Sequence, residues 1–168
     1  MKKSISILFL SLILLFSAAI PSYAIENELK PNSVQVPVSY KVLSKNYIST
    51  VERHVRYITS DWTKASQYTV ADGTSQGYSI GFSATAESIF KTAVKACGQF
   101  TISRTKTYTV TTYIPANKTK DSKLAFKADY KKYHTHMQKT SSLGVTSDLG
   151  WSYVYDPTTK TYLRVVYK

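Results

Sequence analysis

Residues 118–139 carry the densest charge of the 168-residue chain: Lys118, Lys120, Lys123, Lys127, Lys131, Lys132 and Lys139 stand against only Asp121 and Asp129. Ammonium groups at that density attract oxyanions, so Lys118, Lys120, Lys123, Lys127, Lys131 and Lys132 are the candidate anion-binding residues. If this segment is a strand, Lys123, Lys127 and Lys131 share one face beside Tyr133, a basic stripe with an aromatic neighbour that could track phosphates or sugars. Lysine on an exposed edge strand also blocks aggregation, and spacing alone does not separate the two roles. In the same segment His134 and His136 project from one strand face, a spacing that can chelate zinc or copper. Two ligands are not a site. His54 or Asp129 would have to approach, and nothing local predicts that, so no metal or cofactor is expected.

Three further patterns touch on catalysis. Cys97 could act as a nucleophile with His54, His134 or His136 as base and Arg104 as an oxyanion partner. Helical periodicity around it instead turns the thiol toward an apolar face, where a small buried thiol is inert. Gly73-Thr74-Ser75-Gln76-Gly77 matches the G-x-S-x-G nucleophile elbow, yet it lies between turn signals in a chain without alternating strand and helix units, so a Gly-rich hairpin loop is expected. Asn117-Lys118-Thr119 matches a glycosylation sequon, which carries no meaning if the chain is exported from a bacterium. No catalytic residue is assigned, and no enzymatic activity is expected.

The chain as a whole has a formal charge of +12 and one cysteine. No intramolecular disulfide is possible, so the fold must rest on its apolar core. Lys2 and Lys3, the apolar run Ile5–Ile20 and the small residues before Ala24 form the three regions of a secretory signal, with cleavage expected between Ala24 and Ile25. A spanning helix needs a longer apolar run, so no transmembrane segment is expected in the mature chain. What remains keeps twenty basic and ten acidic residues, a charge of +10. The expectation is a secreted protein, wall-associated or released. Its partners would be polyanions of the envelope, either wall polymer or lipid headgroups. No nucleic-acid module pattern accompanies the charge, so no specific nucleic acid is expected.

Positioning these residues falls to a β-rich domain over residues 34–168, preceded by a loose arm at 25–33. Alternation predicts strands at Val34–Val42, with Pro37 marking an edge, at Tyr47–Thr59 and at Tyr78–Ala84. Apolar positions Ile89, Phe90, Ala93, Val94 and Cys97 then fall at helical spacing, which predicts a short amphipathic helix over 86–97 with Thr85 as N-cap and Gly98 as the left-handed residue after it. A Thr-rich strand over Gln99–Ile114, a Lys/Tyr strand over Lys123–Gln138 and a hairpin of Trp151–Tyr155 and Thr161–Tyr167 around Asp156-Pro157-Thr158-Thr159-Lys160 complete the count. Seven strands and one helix predict a mainly β fold, an elongated antiparallel sheet or sandwich.

The strand Gly77-Tyr78-Ser79-Ile80-Gly81-Phe82-Ser83, the Thr-rich strand ending at Tyr113-Ile114-Pro115-Ala116-Asn117-Lys118 and the Tyr/Lys strand after it resemble the core of small secreted proteins of Gram-positive bacteria. More distantly, residues 76–135 are similar to the elongated β domain of aerolysin-type pore-forming toxins. That resemblance implies an amphipathic hairpin that joins others in a closed oligomeric barrel. Arg104 and Lys106 depart from it, since they share the face of Phe100, Ile102, Tyr108 and Val110 that would meet lipid. The first functional expectation is thus a non-enzymatic binder of an anionic envelope surface through the lysine strand. The second is a membrane-active, aerolysin-like or bacteriocin-like protein, and an enzyme using Cys97 or Ser75 comes third.

Overall fold

The computed structural model describes residues 36–168. The expected signal peptide with its Ala24/Ile25 junction and the arm at 25–33 lie outside the described residues. Eight strands and one helix follow in chain order: β1 (Ser39–Tyr57), β2 (Gln67–Val70), β3 (Ser75–Ser79), β4 (Gly81–Phe82), α1 (Ser88–Ala96), β5 (Ser103–Thr107), β6 (Thr112–Pro115), β7 (Ser122–Thr140) and β8 (Thr146–Tyr167). The fold is mainly β, as expected. One antiparallel sheet has the order β1-β7-β8-β4, and the pairs β2-β6 and β3-β5 form two smaller antiparallel sheets.

Several expected elements fuse or split. The strands expected at Val34–Val42 and Tyr47–Thr59 are one strand, β1, which starts after Pro37 and lies at the edge of the large sheet. Three bulges, at Leu43, Ile48 and Val55, each insert one extra β1 residue against β7. Such bulges add local twist and make an edge harder to extend. The hairpin expected around Pro157 is not formed. Residues 146–167 run as the single strand β8, and the turn-rich segment Thr158–Lys160 is a bulge opposite Asp129. Both arms bury apolar side chains against β7, Val154 opposite Tyr133 and Leu163 opposite Phe126, so a reversal at Pro157 would sacrifice one of them. Thr158 holds the bulge closed by donating Oγ1–H to the Asp129 carbonyl at 3.0 Å, while Tyr78 donates to the Thr158 carbonyl at 2.6 Å.

The Thr-rich segment is likewise divided, into β5 and β6, which pair with different partners. α1 is shorter than expected. Its N-cap is Glu87 without a side-chain cap bond, and Thr85 lies in the preceding turn, where Ala86 N–H donates to Ser83 O. Gly98 takes φ +69°, the conformation expected of the residue that ends the helix. Phe90, Ala93 and Val94 pack with Ile80, Phe100, Met137 and Val154 into one core cluster, and Phe126, Ala128 and Tyr130 form another with Tyr78.

Candidate anion-binding cleft

Apart from Ala125, the buried positions of β7 are even-numbered from Leu124 to Tyr130, but from Tyr133 onward Thr135 and Met137 are the buried ones. The two-residue period slips between Tyr130 and Tyr133; β1 bulges there at Ile48, and β8 bulges just before it, at Thr158–Lys160 opposite Asp129. Lys123, Lys127 and Lys131 keep the odd-numbered phase of β7, but Tyr133 does not share their face. Tyr133 packs toward the core, and Lys132 takes the outward phase with His134 and His136.

The strand lysines are also engaged within the protein. Lys127 Nζ lies 3.0 Å from Glu52 Oε1, and that carboxylate also meets Arg164 at 3.2 Å. Lys123 sits over the Tyr57 and Trp62 rings and donates to the Ser60 carbonyl. Lys132 Nζ lies 4.1 Å from the Tyr153 ring centroid. Lys118 and Lys120 are exposed in the turn before β7, and Lys131 is exposed on the strand. The structure thus spreads the six candidates over a turn and different parts of β7 rather than converging them.

His134 and His136 do share a face, but they stack rather than converge on a metal. Trp151 lies between them, 4.7 Å from each imidazole, and His136 Nε2 is 2.7 Å from Asp148 Oδ1. Among the described residues no group of three or more His, Cys, Asp or Glu side chains could hold a metal. Cys97 packs against the α1 core and donates its thiol to Val94 O at 3.1 Å. Ser75 opens β3 and hydrogen-bonds Thr107 Oγ1 at 2.8 Å, so it sits in a strand pair and not at an elbow. Asn117 Oδ1 accepts from Thr119 N–H and Oγ1–H, an ordinary Asx turn.

What the structure does bring together is a set of arginines. A cleft of about 590 Å³ opens between β1, β3 and β5, lined by Arg53, Arg56, Arg104 and His54, with Ser79, Ser103 and Thr105 and without any aspartate or glutamate. Arg53 alternates in phase with Val51 and Val55, which turns it toward the interior face of β1. Its guanidinium lies 3.9 Å from the Tyr155 ring centroid and 5.7 Å from that of Tyr130. Arg104 donates Nε–H to the Pro157 carbonyl at 2.9 Å and is half-buried. Arg56 donates to the Gly77 carbonyl.

No family model, curated protein or solved structure matches the chain. The chemistry of the cleft therefore carries the functional reading. Its guanidinium groups are oriented by neutral carbonyls and aromatic faces, and no ion pair among the described residues involves them. Each spends only part of its five N–H donors on the protein. Burial raises the Tyr78 and Tyr130 hydroxyls above their ordinary values, while Arg104 and Arg53 respectively pull them back. The phenols thus stay neutral beside the cations, and the cleft keeps its positive charge. A planar oxyanion or phosphate is the complement of such a set. The signal in the sequence was an arginine at an apolar-phase position, which Arg53 and Arg104 both show.

Proposed function

We propose that the protein is an exported, non-enzymatic binder of phosphate-type oxyanions displayed on the cell envelope, with the arginine cleft, and not the lysine strand, as the principal contact. One observation supports this above the others: a cleft lined by Arg53, Arg56 and Arg104 whose lining includes no carboxylate. Guanidinium clusters without acidic partners are costly through mutual repulsion, and an anionic ligand relieves that cost. The formal charge of +12 supplies long-range attraction toward the same class of partner.

The test is titration with inorganic polyphosphate and with inorganic phosphate at low and high salt. Binding should weaken steeply with salt. Arg53→Ala and Arg56→Ala should each weaken it about tenfold, the worth of a charge-assisted hydrogen bond, while Lys131→Ala and Lys132→Ala change it less than about twofold. Loss in the lysine variants with none in the arginine variants would return the contact to the lysine strand and overturn this assignment.

A further inference from the structure

The connection between β7 and β8 ends in Ser141-Ser142-Leu143-Gly144-Val145, and two of its residues do what hairpin tips in water seldom do. Leu143 is 80 % exposed and Val145 60 % exposed. The tip is nonetheless well ordered by its own bonds: Ser141 N–H donates to Val145 O at 2.8 Å, Gly144 N–H to Ser141 O at 3.0 Å, and Val145 N–H to Ser141 Oγ at 3.2 Å. Its backbone is thus satisfied while its aliphatic side chains point away from the core. Val36 N–H donates to Ser142 O at 3.2 Å, which sets two more exposed aliphatics, Val36 and Val38, beside the tip.

The charge beside this apolar point is mainly positive. Residues 36–47 and 130–148, the two stretches that lead to it, contain Lys41, Lys45, Lys131, Lys132 and Lys139 against one acidic residue, Asp148, whose carboxylate lies 2.7 Å from His136 Nε2. Lys139 pairs with Tyr40 across β1 and with Ser147 across β8, one step from the tip, and Lys41 follows on the next β1 position. An apolar point flanked by the ammonium groups of Lys139 and Lys41 matches a lipid bilayer with anionic headgroups, where aliphatics enter the acyl boundary and lysines stay at the phosphates. A protein partner would more often be met by a broader apolar patch with a mixed polar rim.

We propose that the β7–β8 hairpin tip docks the protein on anionic bilayers by inserting Leu143 and Val145. This deepens the functional reading above, on which it rests for the anionic nature of the target, by naming a lipid surface as the source of the phosphates. No helix among the described residues is long and apolar enough to cross a membrane, and the docking needs none.

The experiment is sedimentation of the full chain with vesicles of mixed phosphatidylcholine and phosphatidylglycerol, beside vesicles of phosphatidylcholine alone and beside soluble polyphosphate. The expected result is binding to the anionic vesicles, a loss of about tenfold or more in Leu143→Asp and again in Val145→Asp, and unchanged polyphosphate binding by both variants. A Leu143→Trp variant gives a positive readout, since its emission should shift to the blue with anionic vesicles beyond any change in the parent protein. Vesicle binding that survives both aspartate variants, or no blue shift in Leu143→Trp, overturns the docking tip. Polyphosphate binding without vesicle binding also overturns it but leaves the anion cleft standing. The converse, tip-dependent vesicle binding that ignores Arg53→Ala and no polyphosphate binding, removes the cleft and keeps the tip. Self-association abolished by Leu143→Asp in the absence of lipid would assign the tip to a second copy instead.

Discussion

Gly81 makes room for Arg53. A Cβ added at Gly81 would lie 2.5 Å from Arg53 Nη1 and 3.3 Å from the Tyr155 Cβ, so the guanidinium occupies the space that any other residue would fill. The backbone at Gly81 does not take a positive φ, so glycine is needed there for the approach and not for the turn. Gly81→Ala should displace Arg53 from the Tyr155 face at little cost in stability, because the end of an arginine side chain moves easily. Polyphosphate affinity is expected to fall about threefold to tenfold while the thermal midpoint changes little. Titration and thermal unfolding of the one variant check both halves; unchanged affinity would separate Arg53 from the site.

Thr135 offers the opposite outcome, a gain in stability. Its side chain is fully buried in β7, and Oγ1 has no hydrogen-bond partner among the described residues. Thr135→Val keeps the shape and the β-branched rotamer while removing an unpaired polar atom. The expected gain is about 1 kcal/mol, read from denaturant unfolding as a higher midpoint with the same slope. A loss of stability would mean that the hydroxyl is satisfied by an internal water.

Much of the fold was legible where a strand keeps one phase. β7 matches the expected Lys/Tyr strand to within two residues at each end, and Gly98 ends the helix as its position predicted. Legibility failed at bulges. Leu43, Ile48 and Thr158–Lys160 shift the phase of the pairing, so alternation read through them assigns faces wrongly, and turn-forming residues at Pro157 serve a strand that does not turn. The cleft was half visible. Arg53 and Arg104 each stand at an apolar-phase position, but they are 51 residues apart in sequence, and only the packing of β3 and β5 near β1 brings them to one cavity. The lysine cluster was conspicuous for the converse reason, because local density along a chain does not require that the side chains meet.

Gly150 tests whether the bulge near Asp148 is held by backbone conformation. It takes φ +71°, nothing lies within 4 Å of an added Cβ, and its N–H donates to Asp148 Oδ1 at 2.8 Å. Gly150→Ala therefore meets no steric obstacle and is strained only by its φ. A loss of about 1–2 kcal/mol is expected. Gly77→Ala, with no positive φ and its nearest atom at 4.0 Å, should cost less than half as much. Denaturant unfolding of the two variants compares them, and equal losses would show that the left-handed conformation at Gly150 is not what holds the bulge.

Glu52 sets an acid limit on the large sheet. Lys127, 3.0 Å away on β7, is the chief cause holding its carboxyl below its ordinary value, and Arg164 on β8 adds to it against a partial desolvation that pushes the other way. A carboxylate lowered in the folded state contributes stability that is complete above its unfolded value and is lost as pH falls through the folded one. The contribution should therefore be full at neutral pH and fade from about pH 4.5 downward. Because the group is partly exposed, it amounts to no more than about 1 kcal/mol. Glu52→Gln should lower the thermal midpoint at neutral pH, and the gap to the parent protein should close as pH falls through the lowered titration of Glu52. A gap that stays constant across that range would show that the glutamine loses packing or hydrogen bonding and not charge. Lys127→Met provides the complement, since it removes the main cause of the shift and moves the acid limb of the parent curve toward higher pH.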